Sequence, residues 1–346
     1  MLINYKNSPN KESQRRLLLL STNIFMLRIG VIGEASELVK LCTSIEVMEE
    51  VHFIGFHSVD DPNFENNHAR FGTLDELLLA TDSVYVSSKA ASMNNVLENA
   101  IRNQIHTLVE FPFIIDPEIG NDLMNLAHEA NIKLQVGNPL KFTPVYLGIK
   151  DKFDTPMFIE SHQLQSLTTA LTDTSVIQNL MIKDIDIILS IVQSKVKKIS
   201  ANGVAVVNGT PDITNARIEF DNGCVANLTA SRISFNPMHK MKFFQRNSYM
   251  NVDFVSNEAH MITLKDASKN KKAKFTLNLG ASGEKEVIYQ QPKFDVSNPV
   301  QEEVKLFVES IENNIDNDLT IPKALYSIEI AQKVAKKVQA AAMIIE

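Results

Sequence analysis

Two polar side chains on one predicted helix could act directly on a ligand. Lys183 and Asp186 lie three residues apart within the helical pattern of residues 176–192, so both fall on one face. Such a pair could bind or polarise a hydroxyl or carbonyl group. To act as a base near neutral pH, Lys183 would need its pKa lowered by about three units, and the neighbouring carboxylate works in the opposite direction. A salt bridge that lines a pocket is the simpler explanation of the spacing.

The histidines and cysteines form no metal or disulfide motif in the sequence. The eight histidines show no H-x-x-x-H spacing, and the two cysteines, Cys42 and Cys224, lie far apart. Both cysteines fit the role of small hydrophobic residues. Because two distant cysteines cannot build a disulfide framework, the sequence predicts a cytoplasmic protein without a metal site.

The charge balance bears on the class of partner. The chain has 34 Lys and Arg against 41 Asp and Glu, which gives a formal net charge of −7. A lysine cluster at residues 269–274 is too short to make a basic surface. An acidic protein without a long basic cluster is not expected to bind nucleic acid or an anionic membrane as its main partner.

The N-terminal segment, residues 1–25, differs from the rest of the chain. Arg15 and Arg16 precede four leucines, as in a secretory signal, but residues 21–23 are polar and interrupt the apolar run. No small-residue cleavage site follows, and the run is far shorter than the ~20 residues that span a bilayer. We therefore expect residues 1–25 to be a dispensable extension that precedes the first strand at Met26.

The order of helices and strands predicts two domains of different class, as the length of 346 residues also favours. In residues 26–146, short apolar strands alternate with helices, which is typical of an α/β Rossmann-like domain with a parallel sheet. In residues 147–346, a long helix precedes a run of strands from 198 to 264, and two helices close the chain. This order predicts an α+β domain with an open, mainly antiparallel sheet.

An open sheet needs cover for its apolar face, from helices or from another subunit. A homo-oligomer assembled through this sheet is therefore expected. Residues 265–285 are polar and predict an exposed loop. The candidate residues for the apolar face are Val204, Val206, Ile218, Phe220, Val225, Leu228, Phe243 and Phe254.

Several stretches in the expected order carry a resemblance to one family. They are Val136-Gly137 leading to Phe142 and Pro144, and the ranges 180–188, 216–232 and 241–254. From Met26 to the C-terminus the chain resembles the glucose–fructose oxidoreductase / inositol dehydrogenase (Gfo/Idh/MocA) family. The resemblance implies hydride transfer between NAD or NADP and a hydroxyl carbon of a sugar, a cyclitol or a nucleotide sugar.

The resemblance places the family's G-x-G-x-x-G turn at Gly33, Ala35 and Leu38. Those glycines allow a tight bend, close approach of the backbone to pyrophosphate, and helix–strand packing. Only the first glycine is present here, and Glu34 adds a negative charge beside the helix N-terminus. This chain therefore departs from the dinucleotide motif.

Further cofactor-binding positions follow from the same resemblance. The acidic residue that holds the adenine ribose corresponds to Ser58, and Ser88 stands where the family has a Thr-Pro pair. The family's Glu-Lys-Pro corresponds to Glu110, Phe111 and Pro112. Since the family's lysine touches both substrate and nicotinamide, a phenylalanine there removes a proton donor.

The family's Asp-x-x-x-His-x-x-Asp motif gives the remaining positions. It corresponds to Asn179, Lys183 and Asp186, so the general acid/base histidine is a lysine and only the last carboxylate is kept. Lys183 and Asp186 are the catalytic candidates. Lys141, His162 and Asn179 are the candidates for binding a sugar-like substrate.

Three functions remain open at this point. The first is a family member with degenerate cofactor and catalytic motifs, weakly active or non-catalytic. The second is an active NAD(P)-dependent sugar oxidoreductase with a rearranged site that uses Lys183 and Asp186. The third is an enzyme of the same fold with non-redox chemistry. Losses at four separate contacts favour the first.

Overall fold

The structure is a computed structural model of the chain. It describes residues 26–88, 93–113, 117–166, 175–207, 209–266, 275–278, 280, 283–317 and 319–342. The predicted N-terminal extension (residues 1–25) and the lysine cluster at 269–274 lie outside these ranges.

The N-terminal domain is built on a parallel sheet with the strand order β2-β1-β3-β4-β5 in the described residues. The strands are β1 (Leu27–Gly33), β2 (Val51–Ser58), β3 (Ser83–Val86), β4 (His106–Glu110) and β5 (Leu134–Gly137). The helices between them are α1 (Ala35–Glu46), α2 (Leu74–Ala80), α3 (Met93–Arg102) and α4 (Pro117–Glu129). The order reverses at β1, and in such sheets the ligand crevice lies at the carboxyl ends of the strands beside that point.

Local sequence accounts for these elements. β1 is buried along most of its length, as expected for a central parallel strand covered on both faces. The helix α2 begins at a capping box, in which the Thr73 hydroxyl accepts from the Glu76 N–H and the Glu76 carboxylate accepts from the Thr73 N–H. The burial of β1 and the start of α2 therefore follow from their own residues.

The C-terminal domain is built on a larger, mainly antiparallel sheet. Its strands are β6 (Phe158–Leu164), β7 (Val196–Val204), β8 (Ile213–Phe220), β9 (Val225–Ser231), β10 (Met238–Gln245), β11 (Ser248–Asp253), β12 (Glu258–Asp266), β13 (Thr276–Asn278) and β14 (Glu284–Gln290). The described strands lie in the order β13-β14-β12-β11-β10-β6-β9-β8-β7. β6 and β9 run parallel. The fold class predicted from the sequence is confirmed.

Helical segments connect the two domains or cover their sheets in the described part of the C-terminal half. They are a 3₁₀ turn at Pro139–Phe142, α5 (Pro144–Ile149), a π-helical turn at Ile177–Met181, α6 (Ile182–Ile191), α7 (Pro299–Glu312) and α8 (Ile321–Ala342). The apolar stripe on α7 is largely buried, with Val304 and Phe307 fully inaccessible. These two residues pack into the same core as α1 and β1, so α7 covers the N-terminal sheet.

Helices of the same chain cover the predicted apolar face of the large sheet. Ile218, Phe220, Leu228 and Phe243 are buried in one core with α6 and α8. Val204, by contrast, is exposed. Of the two kinds of cover that the sequence left open, the structure shows helices over these four residues, namely α6 and α8. Self-association stays a prediction.

The opposite face of the large sheet carries polar and aromatic side chains. Lys242 pairs with Glu160 and Lys240 pairs with Asp253, each at 3.1 Å. His162 also belongs to this face, since side chains alternate along a strand and the preceding residue, Ser161, points to α6. The outer face is thus the surface on which a self-association test should concentrate.

The structure also bears on the predicted loop at 265–285 and on the two cysteines. The predicted loop at 265–285 contains β13 and the start of β14, whose exposed residues gave no apolar pattern. Cys42 and Cys224 are buried, and burial raises the pKa of their thiols to about 12 and about 11. Among the helices that the structure describes, none is long and apolar enough to cross a membrane.

Candidate functional site

A carboxylate of the chain holds the first amide of α1, at the strand ends where ligands bind in such sheets. The Ala35 N–H donates to Oδ1 of Asp60 at 2.9 Å, and the Ser58 hydroxyl donates to the same oxygen at 3.0 Å. The hydrogen bond from Ala35 is the main reason that the pKa of Asp60 lies below its usual range. Sequence reasoning singled out Ser58 and missed Asp60, although an acidic residue just beyond the second strand was a visible signal.

Two more donors at the same edge bind carboxylates. The Ser87 hydroxyl donates to the Glu37 carboxylate in a short hydrogen bond, and the Ser88 N–H donates to Oε2 of Glu110 at 3.3 Å. The carboxyl ends of β3 and β4 and the first turn of α1 are therefore joined by hydrogen bonds to acidic side chains. The edge combines several negative charges in a small space.

Gly33, the one glycine present in the dinucleotide turn, lies where there is little room for a side chain. A Cβ at Gly33 would lie 3.0 Å from the Ser87 Cβ, so the strand and the loop after β3 approach each other closely there. Leu38 is fully buried in the core of the domain. It fills the space that a glycine would leave between the helix and the sheet. Ala35 leaves a methyl group at the point where the backbone would have to approach a phosphate.

Taken together, these residues do not fit a dinucleotide. A pyrophosphate requires free N–H donors and favours positive charge at a helix N-terminus. Here the Ala35 N–H is bonded to Asp60, and Glu34 and Glu37 add negative charge in the same turn. We therefore derive no chemical step through NAD or NADP at this edge.

The family's reactive lysine position is also closed. Phe111 is 1% exposed and belongs to the core that joins the two domains. Its N–H donates to the Gly137 carbonyl at 2.7 Å, and the peptide bond to Pro112 is cis. The backbone of the motif is present, while the side chain is an apolar group that cannot transfer a proton.

Asp186 lies at the centre of a polar cluster between the domains, but its ion pair differs from the expected one. Its carboxylate accepts from Lys141 Nζ at 2.7 Å, from Asn138 Nδ2 at 2.9 Å and from the Ser327 hydroxyl at 3.0 Å. The expected Lys183–Asp186 pair is therefore wrong: the cation is Lys141, supplied by the 3₁₀ turn after β5. With three donors, this carboxylate is suited to positioning α6 and not to accepting a proton.

Lys183 lies next to this cluster without joining it. Its side chain is half-buried, and within the described ranges it has no salt-bridge partner. Its carbonyl accepts from Asn138 Nδ2 at 3.2 Å. Asn179 lies one turn earlier, on the π-helical turn that leads into α6. Such turns occur often at functional sites.

A pocket of about 370 Å³ lies between the two domains. Three positions singled out in the sequence line it, namely Phe111, Lys141 and Asp186, and Asn138 lies beside them. The volume suits a small ligand, and an interdomain position is common for such sites. Lys183, Asn179 and His162 are not among the described residues that line it.

A second buried carboxylate on α6 was not assigned a role by sequence reasoning. Asp184 is 1% exposed, accepts from the Ser161 hydroxyl, and lies 2.6 Å from Nε2 of His239. An acidic residue within the apolar stripe of the helix was the available signal. Asp184 fastens α6 to β6 and β10. Within the described residues, no group of three or more His, Cys, Asp or Glu side chains could hold a metal ion.

A buried glutamate underlies the edge of the N-terminal sheet. Glu303 on α7 is fully buried, and it accepts from the Tyr85 hydroxyl at 3.2 Å. A Cβ at Gly137 would lie 1.7 Å from Glu303 Oε1, so this position requires glycine. Burial, and then the charge of Glu110, raise the pKa of Glu303 well above its usual range. Burial in the folded protein therefore favours the protonated, uncharged form of Glu303.

This protonation makes stability depend on pH in a defined direction. Above about pH 4.3 the unfolded chain releases the Glu303 proton, while the folded chain keeps it to a higher pH, so unfolding becomes easier as the pH rises through that interval. Glu303→Gln removes this effect. The free energy of unfolding of the variant and of the unmodified protein is measured in urea at both pH values. We expect the value for the variant minus the value for the unmodified protein to be higher at pH 8 than at pH 5. Glu309→Gln, an exposed position on the same helix, is the control. An equal difference at both pH values would contradict the assignment.

Part of the chain matches a known family of proteins. Residues 29–138 match the family described as "Oxidoreductase family, NAD-binding Rossmann fold" (GFO_IDH_MocA). The resemblance found in the sequence is confirmed. Residues 29–138 are thus similar to the Rossmann domain of the Gfo/Idh/MocA oxidoreductase family.

The chain is similar to one nucleotide-sugar dehydrogenase in sequence and to further dehydrogenases in fold. UDP-N-acetylglucosamine 3-dehydrogenase from Acidithiobacillus ferrooxidans is 31% identical over 192 residues, which are 55% of this chain and 61% of that protein. A solved structure of that enzyme, GnnA, has a TM-score of 0.78 at 24% identity and covers 92% of this chain and 99% of its own. Scyllo-inositol dehydrogenase from Lactobacillus casei, solved with NAD(H) and scyllo-inositol, has a TM-score of 0.68 at 16% identity, covering 91% and 98%. These two structures show a shared fold.

Proposed function

We propose that this chain binds a nucleotide sugar of the UDP-N-acetylhexosamine class between its two domains and does not catalyse NAD(P)-dependent hydride transfer. The observation that carries the second part is Phe111, which is 1% exposed where the family has its lysine. The first part is supported by the relative that acts on UDP-N-acetylglucosamine, and by the interdomain pocket of about 370 Å³.

The polar cluster at this pocket supports binding more than catalysis. Asn138 and Lys141 bond Asp186 and so hold the 3₁₀ turn against α6. This arrangement positions the pocket walls, and it occupies the Asp186 carboxylate with three donors. A sugar has many hydroxyl groups, and a pocket with fixed amide, ammonium and carboxylate groups can recognise them by hydrogen bonds.

A second candidate is an active NAD(P)-dependent dehydrogenase of the same substrate class. The similarity to UDP-N-acetylglucosamine 3-dehydrogenase favours it. In that case Lys183, the half-buried cation beside the Asp186 cluster, would be the group that polarises the reacting hydroxyl. The cofactor would have to bind without the pyrophosphate contacts described above.

Two measurements on the full chain separate the candidates. Calorimetric titration with UDP-N-acetylglucosamine tests the ligand class, and absorbance at 340 nm with NAD⁺ or NADP⁺ tests hydride transfer. We expect binding in the micromolar to millimolar range and no cofactor reduction. Absence of binding to UDP-N-acetylglucosamine contradicts the first part of the proposal.

Cofactor reduction would favour the second candidate, and a lysine pair then tests the mechanism. Lys183→Met should lower kcat about 100-fold if this ammonium polarises the substrate. Lys197→Met, an exposed position on β7, is the matched control and should leave kcat unchanged. Equal rates for the two variants would rule out a catalytic role for Lys183.

A further inference from the structure

Three hydrogen-bond donors at the carboxyl edge of the N-terminal sheet share one property. Each donates to a carboxylate of the chain itself: the Ala35 N–H to Asp60, the Ser87 hydroxyl to Glu37, and the Ser88 N–H to Glu110. These donors come from the first turn of α1 and from the segment after β3. A ligand phosphate at this edge would need the same donors.

Among these three carboxylates, Asp60 is the one that binds the N-terminal amide of α1. Its Oδ1 lies 2.9 Å from the Ala35 nitrogen and 3.0 Å from the Ser58 oxygen. A helix N-terminus stabilises a negative group because its amides and its dipole point toward it. Here that negative group is part of the protein, and it is held in place by two donors at once.

The charges around this turn oppose an anionic ligand. Glu34, Glu37 and Asp60 surround the beginning of α1 within one helical turn or one hydrogen bond of Ala35. A pyrophosphate placed there would approach three like charges. At about 5 Å and after screening by salt, each such charge is expected to weaken binding about tenfold.

We propose that Asp60 is an internal substitute for the anionic ligand of this edge, and that the edge is thereby closed to dinucleotides. The helix N-terminus is stabilised by Asp60, the serines after β3 are fixed by Glu37 and Glu110, and the domain keeps its shape without a cofactor. The N-terminal domain then serves as a wall of the interdomain pocket, and ligand binding there is independent of NAD(P).

Charge removal at this edge tests the proposal directly. Binding of NADH and NADPH is followed by nucleotide fluorescence with the unmodified full chain, Asp60→Asn, Glu37→Gln and the double variant. We expect little binding by the unmodified protein below millimolar nucleotide, about tenfold tighter binding for each single variant, and about 100-fold for the double variant. Glu98→Gln changes the net charge equally at an exposed site on α3, and should shift affinity by less than about twofold.

Opposite results overturn the proposal. Saturation of the unmodified protein by micromolar NADH would show that the edge is open. Weaker binding by Asp60→Asn would show that Asp60 contacts the nucleotide, and unchanged binding would show that its charge is irrelevant. Thermal unfolding of each variant verifies that it is folded. UDP-N-acetylglucosamine is titrated into the same samples, so failure of the proposed ligand class is observed separately.

Discussion

Replacement of Arg232 by methionine is expected to lower the free energy of unfolding by about 3–5 kcal/mol. The side chains of Arg232 and Asp212 are 1% and 0% exposed, and Nε of Arg232 lies 2.7 Å from Oδ1 of Asp212. The other carboxylate oxygen accepts from the N–H groups of Val206 and Val207, each at 2.7 Å. Methionine keeps much of the volume but leaves a buried carboxylate without its cation, which explains the size of the loss.

The control for this prediction is an exposed arginine on β8, the strand that pairs with β9. Arg217 pairs with Glu219 at 3.1 Å, and these side chains are 47% and 33% exposed. Because exposed pairs contribute little, Arg217→Met should cost less than about 1 kcal/mol. Urea unfolding of both variants at pH 7 makes the comparison. Similar losses for the two variants would mean that burial of the Arg232–Asp212 pair has no special energetic role.

The sequence allowed most of the fold to be predicted, because its strong signals are local. Buried strands such as β1 and β3 are continuous apolar runs, and α7 shows its apolar stripe at helical spacing. β13 and β14 were missed because their residues are mostly exposed or half-buried. Without a buried face, a strand at the edge of a sheet has no apolar alternation to reveal it.

The site was less predictable, since its contacts join residues far apart in the chain. Spacing indicated Lys183 as the neighbour of Asp186, whereas the actual cation, Lys141, precedes Asp186 by 45 residues and belongs to another element. Asp60 was missed for the same reason: its partner, Ala35, lies 25 residues earlier. Helical spacing identifies neighbours within one element, and only tertiary structure identifies the others.

Residues that differ from the family's motifs and residues that match them have different roles in the structure. Positions that would touch a cofactor are changed, as at Ala35 and Phe111. By contrast, the retained Asp186 fastens α6 to the 3₁₀ turn. A protein that binds a ligand without transferring hydride needs only the second set. This division is what the proposed function predicts.

The second large effect on stability is expected at the Lys141–Asp186 pair. The loss should be larger when the lysine is replaced than when the aspartate is replaced. The side chains of Lys141 and Asp186 are 19% and 8% exposed. Lys141→Met leaves the more buried charge unpaired, so we expect a loss of about 2–3 kcal/mol in the free energy of unfolding. Asp186→Asn leaves an ammonium group that can reach water, and should cost about 1 kcal/mol.

A matched lysine separates burial of the pair from loss of a lysine. Lys133 is also 19% exposed, but its partner Asp316, at 3.4 Å, is 96% exposed. Lys133→Met should therefore cost less than about 1 kcal/mol. Combining Lys141→Met with Asp186→Asn should recover most of the loss, because no buried charge then remains unpaired. If the double variant is instead as unstable as the sum of the single variants, the two side chains act independently, and the ion pair does not hold the 3₁₀ turn to α6.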